Sequence, residues 1–313
     1  MTGTGAGTGS RLAAVAQALL VTFLWSTSWV LIKIGLSDLD LAPLSFAGLR
    51  YALAAAVLLP LAIPALRHAR TLGTGRGTLA RVALLGLLFY AVTQGAQFAA
   101  LVYLPAVAVS LALSATPVLV ALVGLRGGER PTLIQVVGTL AVVGGAALYF
   151  GPIELGPAAT LGLVIATVGV AANAASALLG RALARGAVAA VGGILGLTTV
   201  SMTIGALVLL GIGLVLEGPP AIGASGWLVI AWLAVVNTAF AFTVWNHTLR
   251  TLTAVESSVM NNTMLIQVAV LAWVFLDEAL DMRQVAGLAI ALAGVLAVQI
   301  RRPRVIQSDA EGT

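Results

Sequence analysis

Long apolar stretches, separated by short polar turns, occupy almost the whole chain. Each is close to the roughly 20 residues that a helix needs to cross the hydrocarbon core of a bilayer. The pattern predicts an all-α membrane protein whose ten transmembrane helices lie near residues 12–34, 43–66, 79–102, 105–125, 132–150, 157–180, 189–216, 226–248, 254–276 and 283–300. So little chain remains for a soluble catalytic domain that we expect the protein not to be an enzyme.

The second half of the chain repeats the first. Four residues around the start of the fifth predicted helix recur 149 positions later, as the pairs Glu129 and Glu278, Gln135 and Gln284, Gly138 and Gly287, and Gly145 and Gly294. The repeat predicts two five-helix units, at 12–150 and 157–300, between a disordered N-terminus at 1–11 and a cytoplasmic tail at 301–313. Because five is odd, the units must face opposite ways across the membrane, and inverted repeats are a transporter architecture.

The charges agree with this picture. Only 9% of the residues are charged, against about 25% in soluble domains. With the N-terminus inside, the cytoplasmic side receives most of the 16 basic residues, namely Arg11, Arg67, Arg70, Arg76, Arg81, Arg126, Arg130, Arg181, Arg185, Arg250, Arg301, Arg302 and Arg304. The positive-inside rule therefore predicts a multi-pass protein whose two termini are cytoplasmic. These arginines are dispersed, so the net charge of +5 does not indicate nucleic-acid binding.

Polar residues next to the repeated glycines have the spacing of helix caps. Thr132 with Gln135, and Asp281 with Gln284, match the capping box, in which the two side chains satisfy free amides at the start of a helix. The glycines, seven apart on one helix face, predict close helix packing in lipid. Glu129 and Glu278 precede these caps at the level of the water, and we assign them a structural role as well.

The first copy also resembles a known family, through Trp25-Ser26, Lys33, Pro43, Arg50, Pro117, Glu129, Gln135 and Gly138. Together they are similar to the EamA-type exporters of the drug/metabolite transporter superfamily, and within it to the bacterial exporters of aromatic and other neutral amino acids. The resemblance implies a ten-helix inverted-repeat fold in the bacterial inner membrane, with a central cavity that opens alternately to either side. The second copy has Ile266 in place of Pro117 and Asn173 in place of Trp25, which predicts unequal roles for the two halves.

Polar side chains in the middle of the predicted spans are the candidates for substrate binding, because they are costly in lipid unless they face the bundle interior. The candidates are Trp25, Ser28, Trp29, Tyr90, Gln94, Gln97, Ser114, Asn173, Asn237, Asn261 and Asn262. Aromatic rings, amides and hydroxyls without charges suit a zwitterionic or neutral organic molecule that has an apolar body. The competing explanation for each amide or hydroxyl is a hydrogen bond between helices, worth about 1 kcal/mol or less.

Pro117 interrupts the fourth helix and predicts a kink there. The kink serves either as a hinge for gating or as a static bend that makes room for the cavity, and the sequence does not separate the two. Lys33 and Arg50 are predicted to lie near helix ends and to extend to water, although each could instead attract a carboxylate.

No intramembrane carboxylate is evident in the sequence. Glu256 has the spacing of a cap at the start of the ninth helix, so we expect facilitated transport rather than obligatory proton coupling. The predicted function is export of amino acids and similar small metabolites by alternating access, without cofactor or metal, by a monomer whose partners are its substrate and membrane lipid. The alternatives are proton-coupled efflux of lipophilic cations and transport of phosphorylated metabolites, which would require several buried basic residues.

Overall fold

The computed structural model describes residues 8–73, 75–126, 132–151, 156–249, 251–252 and 254–299. Of the predicted terminal segments, residues 1–7 and the whole of 301–313 lie outside these ranges, as does Glu129. Ten helices in the described ranges are long and apolar enough to cross a membrane. The prediction of an all-α membrane protein with ten spanning helices in two inverted five-helix repeats is confirmed.

The membrane helices follow one another with short connections. They are α1 (Thr8–Ser37), α2 (Pro43–Leu72), α3 (Arg76–Tyr103), α4 (Ala106–Ser114 and Thr116–Arg126), α5 (Leu133–Phe150), α6 (Pro157–Gly186), α7 (Gly193–Leu216), α8 (Ala224–Thr248), α9 (Ala254–Leu276) and α10 (Met282–Gln299). The side at which α1 begins is called the N-terminal face, and the other side the opposite face. Since ten crossings return the chain to the side where it started, α1 begins and α10 ends at the N-terminal face.

Two of the helices contain a π-helical turn. A π-helical turn occupies Leu87–Thr93 within α3, and another occupies Val235–Phe240 within α8, 148 positions later. In each, a threonine hydroxyl donates to the carbonyl five residues before it, Thr93 to Leu88 and Thr238 to Leu233, both at 2.8 Å. Turns of this kind insert one extra residue and occur frequently at functional sites. Their matched positions give the two repeats the same irregularity.

The surface of the helical bundle is apolar. Large side chains are exposed along it, including Leu140 at 65%, Leu228 at 72% and Trp273 at 62%. In water such a surface would be unfavourable, whereas hydrocarbon accepts it and demands only that backbone groups bond within the helices. The exposed apolar positions therefore mark the surface that faces lipid.

A close helix crossing joins the last helices of the two repeats. A Cβ atom added to Gly145 of α5 would lie 2.6 Å from the carbonyl oxygen of Gly287 in α10, and one added to Gly138 would lie 2.8 Å from that of Gly294. Since Gly287 and Gly294 are the repeat counterparts of Gly138 and Gly145, the contact is symmetric and antiparallel. Small residues allow this backbone approach, and it supplies the packing that the spacing of the glycines predicted.

Both predicted capping boxes are confirmed. The Thr132 hydroxyl accepts from the Gln135 amide while the Gln135 side chain accepts from the Thr132 amide. Asp281 and Gln284 make the same pair of bonds at 2.7 and 2.9 Å. The free amides at the start of α5 and α10 are thus satisfied by the chain itself.

Two carboxylates cap helices to which they are not adjacent in sequence. Glu217, directly after α7, accepts from the Leu44 and Ser45 amides at the start of α2, both at 2.8 Å. Glu278, directly after α9, accepts from the Ala106 amide at the start of α4 at 2.8 Å. A carboxylate is favoured at the positive end of a helix. These bonds tie the second repeat to the first at the opposite face.

The glycine crossing gives the first testable prediction. Gly145→Ala should destabilise the protein by about 1–3 kcal/mol, because the new methyl group would overlap backbone atoms of α10 that cannot move independently. Thermal unfolding of the purified protein in detergent measures the change.

The neighbouring Gly144 is the matched control, because a Cβ there meets nothing within 4 Å. Gly144→Ala should leave the unfolding temperature unchanged or raise it, since alanine is the better helix former. Equal unfolding temperatures for the two variants would contradict the close backbone contact between α5 and α10 at Gly145.

Candidate substrate cavity

A cavity of about 450 Å³ lies between the two repeats, bordered by α1 to α4 from the first and by α6 and α8 to α10 from the second. This volume is within the roughly 300–1,000 Å³ typical of small-molecule sites. Gln299, the last residue of α10, and Asn262, in the first half of α9, both line it and are joined by a hydrogen bond of 3.1 Å. Because these positions belong to the N-terminal end of the bundle, the cavity extends towards the N-terminal face.

On the other side of the cavity the bundle is packed. Phe46 and Phe98 are both buried, and their rings meet edge to face with centroids 5.1 Å apart. Leu101, Leu104 and Val107 are buried close to them in the same apolar cluster. This part of the structure separates the cavity from the opposite face.

Lys33 belongs to the packed half. Its Nζ donates to the carbonyls of Leu101 at 2.6 Å and Leu104 at 3.0 Å, at the end of α3. The sequence had predicted that Lys33 lies near a helix end and extends to water; it is half-buried near the end of α1, and the carbonyls left free at the end of α3 supply acceptors within the protein as well. Glu278 shares a small surface recess with Lys33.

Ten of the eleven candidate residues border the cavity, and so does the predicted hinge Pro117. The ten are Trp25, Ser28, Trp29, Gln94, Gln97, Ser114, Asn173, Asn237, Asn261 and Asn262. They come from six different helices, so the tertiary structure brings together positions that are up to 237 residues apart (25 to 262). That they bind substrate remains a prediction.

Tyr90 does not border the cavity, unlike the other candidates. It is 3% exposed and packs against the rings of Tyr51 and Phe89, with centroids 5.4 and 4.9 Å away. In a regular helix the spacing of Tyr90, Gln94 and Gln97 would place all three on one stripe. Tyr90 instead lies within the π turn Leu87–Thr93, whose wider turn changes its angular position relative to the two glutamines.

Arg50 is the residue whose position the sequence predicted least well. It lies seven residues into α2, is only 5% exposed, and borders the cavity instead of reaching water. Its Nε donates to the Thr238 hydroxyl at 3.2 Å and its Nη2 to the Ser28 hydroxyl at 3.4 Å. The guanidinium also lies over the ring of Tyr51, 5.0 Å from its centroid. No carboxylate of the described residues forms an ion pair with it.

Asn237 occupies the π turn of α8 beside Arg50. Its Nδ2 donates to the Ser28 and Thr27 hydroxyls, each at 3.0 Å, and to the carbonyl of Leu24. Its Oδ1 is buried and has no partner within the described part of the chain. A buried amide oxygen without a donor is unfavourable, so this atom requires an explanation.

Aromatic rings form the wall of the cavity on the side of α1 and α8. The Trp25 ring lies 5.4 Å from that of Phe242 and 5.2 Å from that of Trp245, centroid to centroid. Across the cavity, the Tyr51 hydroxyl donates to Gln94 Oε1 at 2.7 Å. The lining thus combines an apolar aromatic surface with amides that are held in fixed orientations.

The break at Pro117 is accommodated by its neighbours. Proline has no amide to donate to the carbonyl of Leu113, four residues before it, and the Thr116 hydroxyl donates to that carbonyl instead, at 2.7 Å. Asn173 of α6 donates to the same hydroxyl at 3.0 Å. The Thr116 hydroxyl therefore stabilises the kink by bonding both to the Leu113 carbonyl of α4 and to Asn173 of α6.

Two other polar groups join helices. Gln267 of α9 accepts from the Ser26 hydroxyl at 2.9 Å and donates to that of Thr22 at 3.3 Å, so it links α9 to α1. Glu256 forms an ion pair with Arg11, near the starts of α9 and α1.

Nowhere in the described ranges do three or more His, Cys, Asp or Glu side chains form a group that could hold a metal ion.

The fold and the cavity together define a multi-pass membrane transporter of small molecules. Comparison with protein families agrees: the EamA-like transporter family matches residues 12–151 and again residues 160–299. The chain therefore belongs to the EamA-like transporter family, with one family domain in each repeat.

Comparison with individual proteins supports the fold and says nothing about the substrate. None of the curated proteins matches this chain. One solved structure, described only as the crystal structure of a protein, is similar with a TM-score of 0.59 and 19% sequence identity, over 91% of this chain and 97% of that chain. At this identity the likeness concerns the arrangement of the helices.

The kink gives the second testable prediction. Thr116→Val should lower stability by about 1–2 kcal/mol, because the Leu113 carbonyl and the Asn173 amide each lose a hydrogen bond. Thr116→Ser keeps the hydroxyl and should retain most of the stability. Thermal unfolding in detergent compares the variants, and a serine variant as unstable as the valine variant would show that the hydroxyl is not what stabilises the kink.

Proposed function

We propose that the protein exports neutral amino acids, aromatic ones among them, and similar small metabolites across the bacterial inner membrane by alternating access. The observation that carries the proposal is the composition of the cavity, in which aromatic rings, oriented amides and hydroxyls surround a single buried arginine. Such a lining fits a molecule with an apolar body and a polar, negatively charged end.

The charge of the cavity argues against the alternative of lipophilic-cation efflux. Arg50 is the only charged side chain among the described lining residues. An arginine stays protonated in proteins, and in a medium of low dielectric constant it repels a second positive charge strongly. A carrier of lipophilic cations would require a carboxylate at this place. A single arginine is also fewer basic groups than a phosphorylated substrate requires.

The direction of transport follows from the orientation that we propose. Basic residues near helix ends, such as Arg67, Arg76 and Arg185, lie on the side of the N-terminal face, which favours that face being cytoplasmic. The cavity then loads from the cytoplasm, and the packed half containing Phe46 and Phe98 blocks the outside. Because one chain encloses the cavity, we propose a monomer as the working unit.

Facilitated transport down the metabolite's own gradient is supported by the position of the acidic side chains. Proton-coupled carriers use carboxylates within the membrane. Glu256 is instead paired with Arg11, whose side chain is 62% exposed. Glu217 and Glu278 bind helix amides at the opposite face.

Uptake into liposomes tests this function. Reconstituted protein should take up labelled phenylalanine, tryptophan and threonine with saturation, and an imposed pH gradient should not change the initial rates. Replacing Glu256 by Gln should leave uptake largely intact, because the residue holds an ion pair and not a transported proton.

Arg11→Gln is the matched control, since it removes the same ion pair without touching a carboxylate. Loss of uptake in Glu256→Gln alone, with binding retained, would point to proton coupling. Gradient-driven movement of an organic cation, without any amino-acid uptake, would overturn the proposed substrate and mechanism together.

The aromatic wall gives a further prediction. Trp25→Ala should reduce phenylalanine uptake by about tenfold and threonine uptake much less, because stacking on an aromatic ring is lost only for the aromatic substrate. Trp273→Ala is the control, since this ring is 62% exposed on the surface that faces lipid. Equal losses for both substrates would indicate that Trp25 supports the helices and not the substrate.

A further inference from the structure

Arg50 and Asn237 are two polar groups that the protein leaves incompletely satisfied in one place. Arg50 carries a full positive charge, is 5% exposed, and has only hydroxyl oxygens as hydrogen-bond partners. Asn237 is completely buried, and its Oδ1 has no donor within the described chain. A buried charge is normally paired, and a buried amide oxygen normally accepts a bond.

One hydroxyl holds the two groups together. The Ser28 oxygen accepts from Arg50 at 3.4 Å and from Asn237 at 3.0 Å. Thr238, the next residue of the π turn, receives the other hydrogen bond of Arg50. The Arg50 guanidinium and the Asn237 amide are therefore neighbours in the lining of the cavity. The π turn holds Asn237 next to Thr238, to which Arg50 is bonded.

We propose that Arg50 and Asn237 form a binding site for a zwitterionic headgroup, an inference that rests on the function proposed above. The guanidinium pairs with the carboxylate of the substrate, and Asn237 Oδ1 accepts a hydrogen bond from its ammonium group. The substrate thereby supplies the counter-charge and the donor that the described chain lacks.

The orientation of Asn237 determines which end of the substrate it takes. Its Nδ2 is occupied by the Ser28 and Thr27 hydroxyls and the Leu24 carbonyl, so the acceptor oxygen is the atom left over. An acceptor selects an ammonium group and rejects a second carboxylate. The side chain of the substrate then extends towards the aromatic rings near Trp25.

The site is asymmetric between the repeats, as an asymmetric headgroup requires. Arg50 belongs to α2 of the first repeat, and the residue 148 positions later in the second repeat is Thr198. Asn237 belongs to the second repeat, and the residue 148 positions earlier is Phe89. Each repeat thus contributes a group that the other lacks.

Matched ligand pairs test the proposal by equilibrium binding to the purified protein. Phenylalaninamide lacks the carboxylate, 3-phenylpropionate lacks the ammonium, and both keep the ring of phenylalanine. The wild-type protein should bind phenylalanine at least about tenfold more tightly than either analogue, since each lost contact is a hydrogen bond to a charged group.

The variants assign each contact to its residue. Arg50→Gln should abolish the preference for phenylalanine over phenylalaninamide, because the carboxylate loses its partner while the cationic amide loses a repulsion. Asn237→Ala should remove the preference over 3-phenylpropionate and keep the preference over the amide. Arg81→Gln, which removes an exposed arginine, is the control for net charge, and Arg50→Lys should keep the carboxylate preference if the glutamine variant does not fold.

The outcomes separate this inference from the proposed function. Equal loss of phenylalanine and phenylalaninamide in Arg50→Gln, or an unchanged preference in it, would overturn the headgroup site while amino-acid transport stands. A different result would be that phenylalanine does not bind, whereas threonine binds more tightly than threoninamide and this preference depends on Arg50. That result would support the headgroup site and overturn only the proposal that aromatic amino acids are substrates. Failure of the wild-type protein to bind either amino acid would overturn both.

Discussion

The hydrocarbon of a bilayer offers no hydrogen bonds, and every polar group within this protein is governed by that fact. Where α3, α4 and α8 are irregular, a threonine hydroxyl donates to a nearby backbone carbonyl. Thr116 serves the carbonyl that Pro117 leaves free, and Thr93 and Thr238 serve the widened turns of α3 and α8. Against this background, the incomplete bonding of Arg50 and Asn237 is conspicuous, because these two groups border the cavity.

The contacts that hold the helices together are repeated in the two halves of the chain, whereas several residues that line the cavity have no equivalent in the other half. The glycine crossing of α5 and α10, the two capping boxes and the two π turns all recur between the repeats. The cavity, in contrast, is lined by groups without counterparts, such as Arg50 and Trp25. An asymmetric substrate can be recognised only by unequal groups, whereas a stable frame can be built from equal ones.

The two faces of the bundle differ in how they are held. At the opposite face, Lys33 binds the end of α3 and Glu278 binds the start of α4, so that both sides of the same short connection are fixed. At the N-terminal face, Asn262 and Gln299 make a bond at the cavity itself. The bonds of Lys33 and Glu278 involve charged groups, which makes them stronger than the neutral bond between Asn262 and Gln299.

The sequence by itself determined the number of helices, their repeat relation and the helix caps, because the length of apolar runs, odd helix counts and capping spacings are local properties. It also placed ten of the eleven candidate residues around one cavity, since polar groups in lipid must turn inward. It did not determine the phase of Tyr90 or the surroundings of Arg50 and Lys33. Those depend on a π turn and on hydroxyls and carbonyls supplied by other helices, and the tertiary structure decided them because only packing brings such distant partners together.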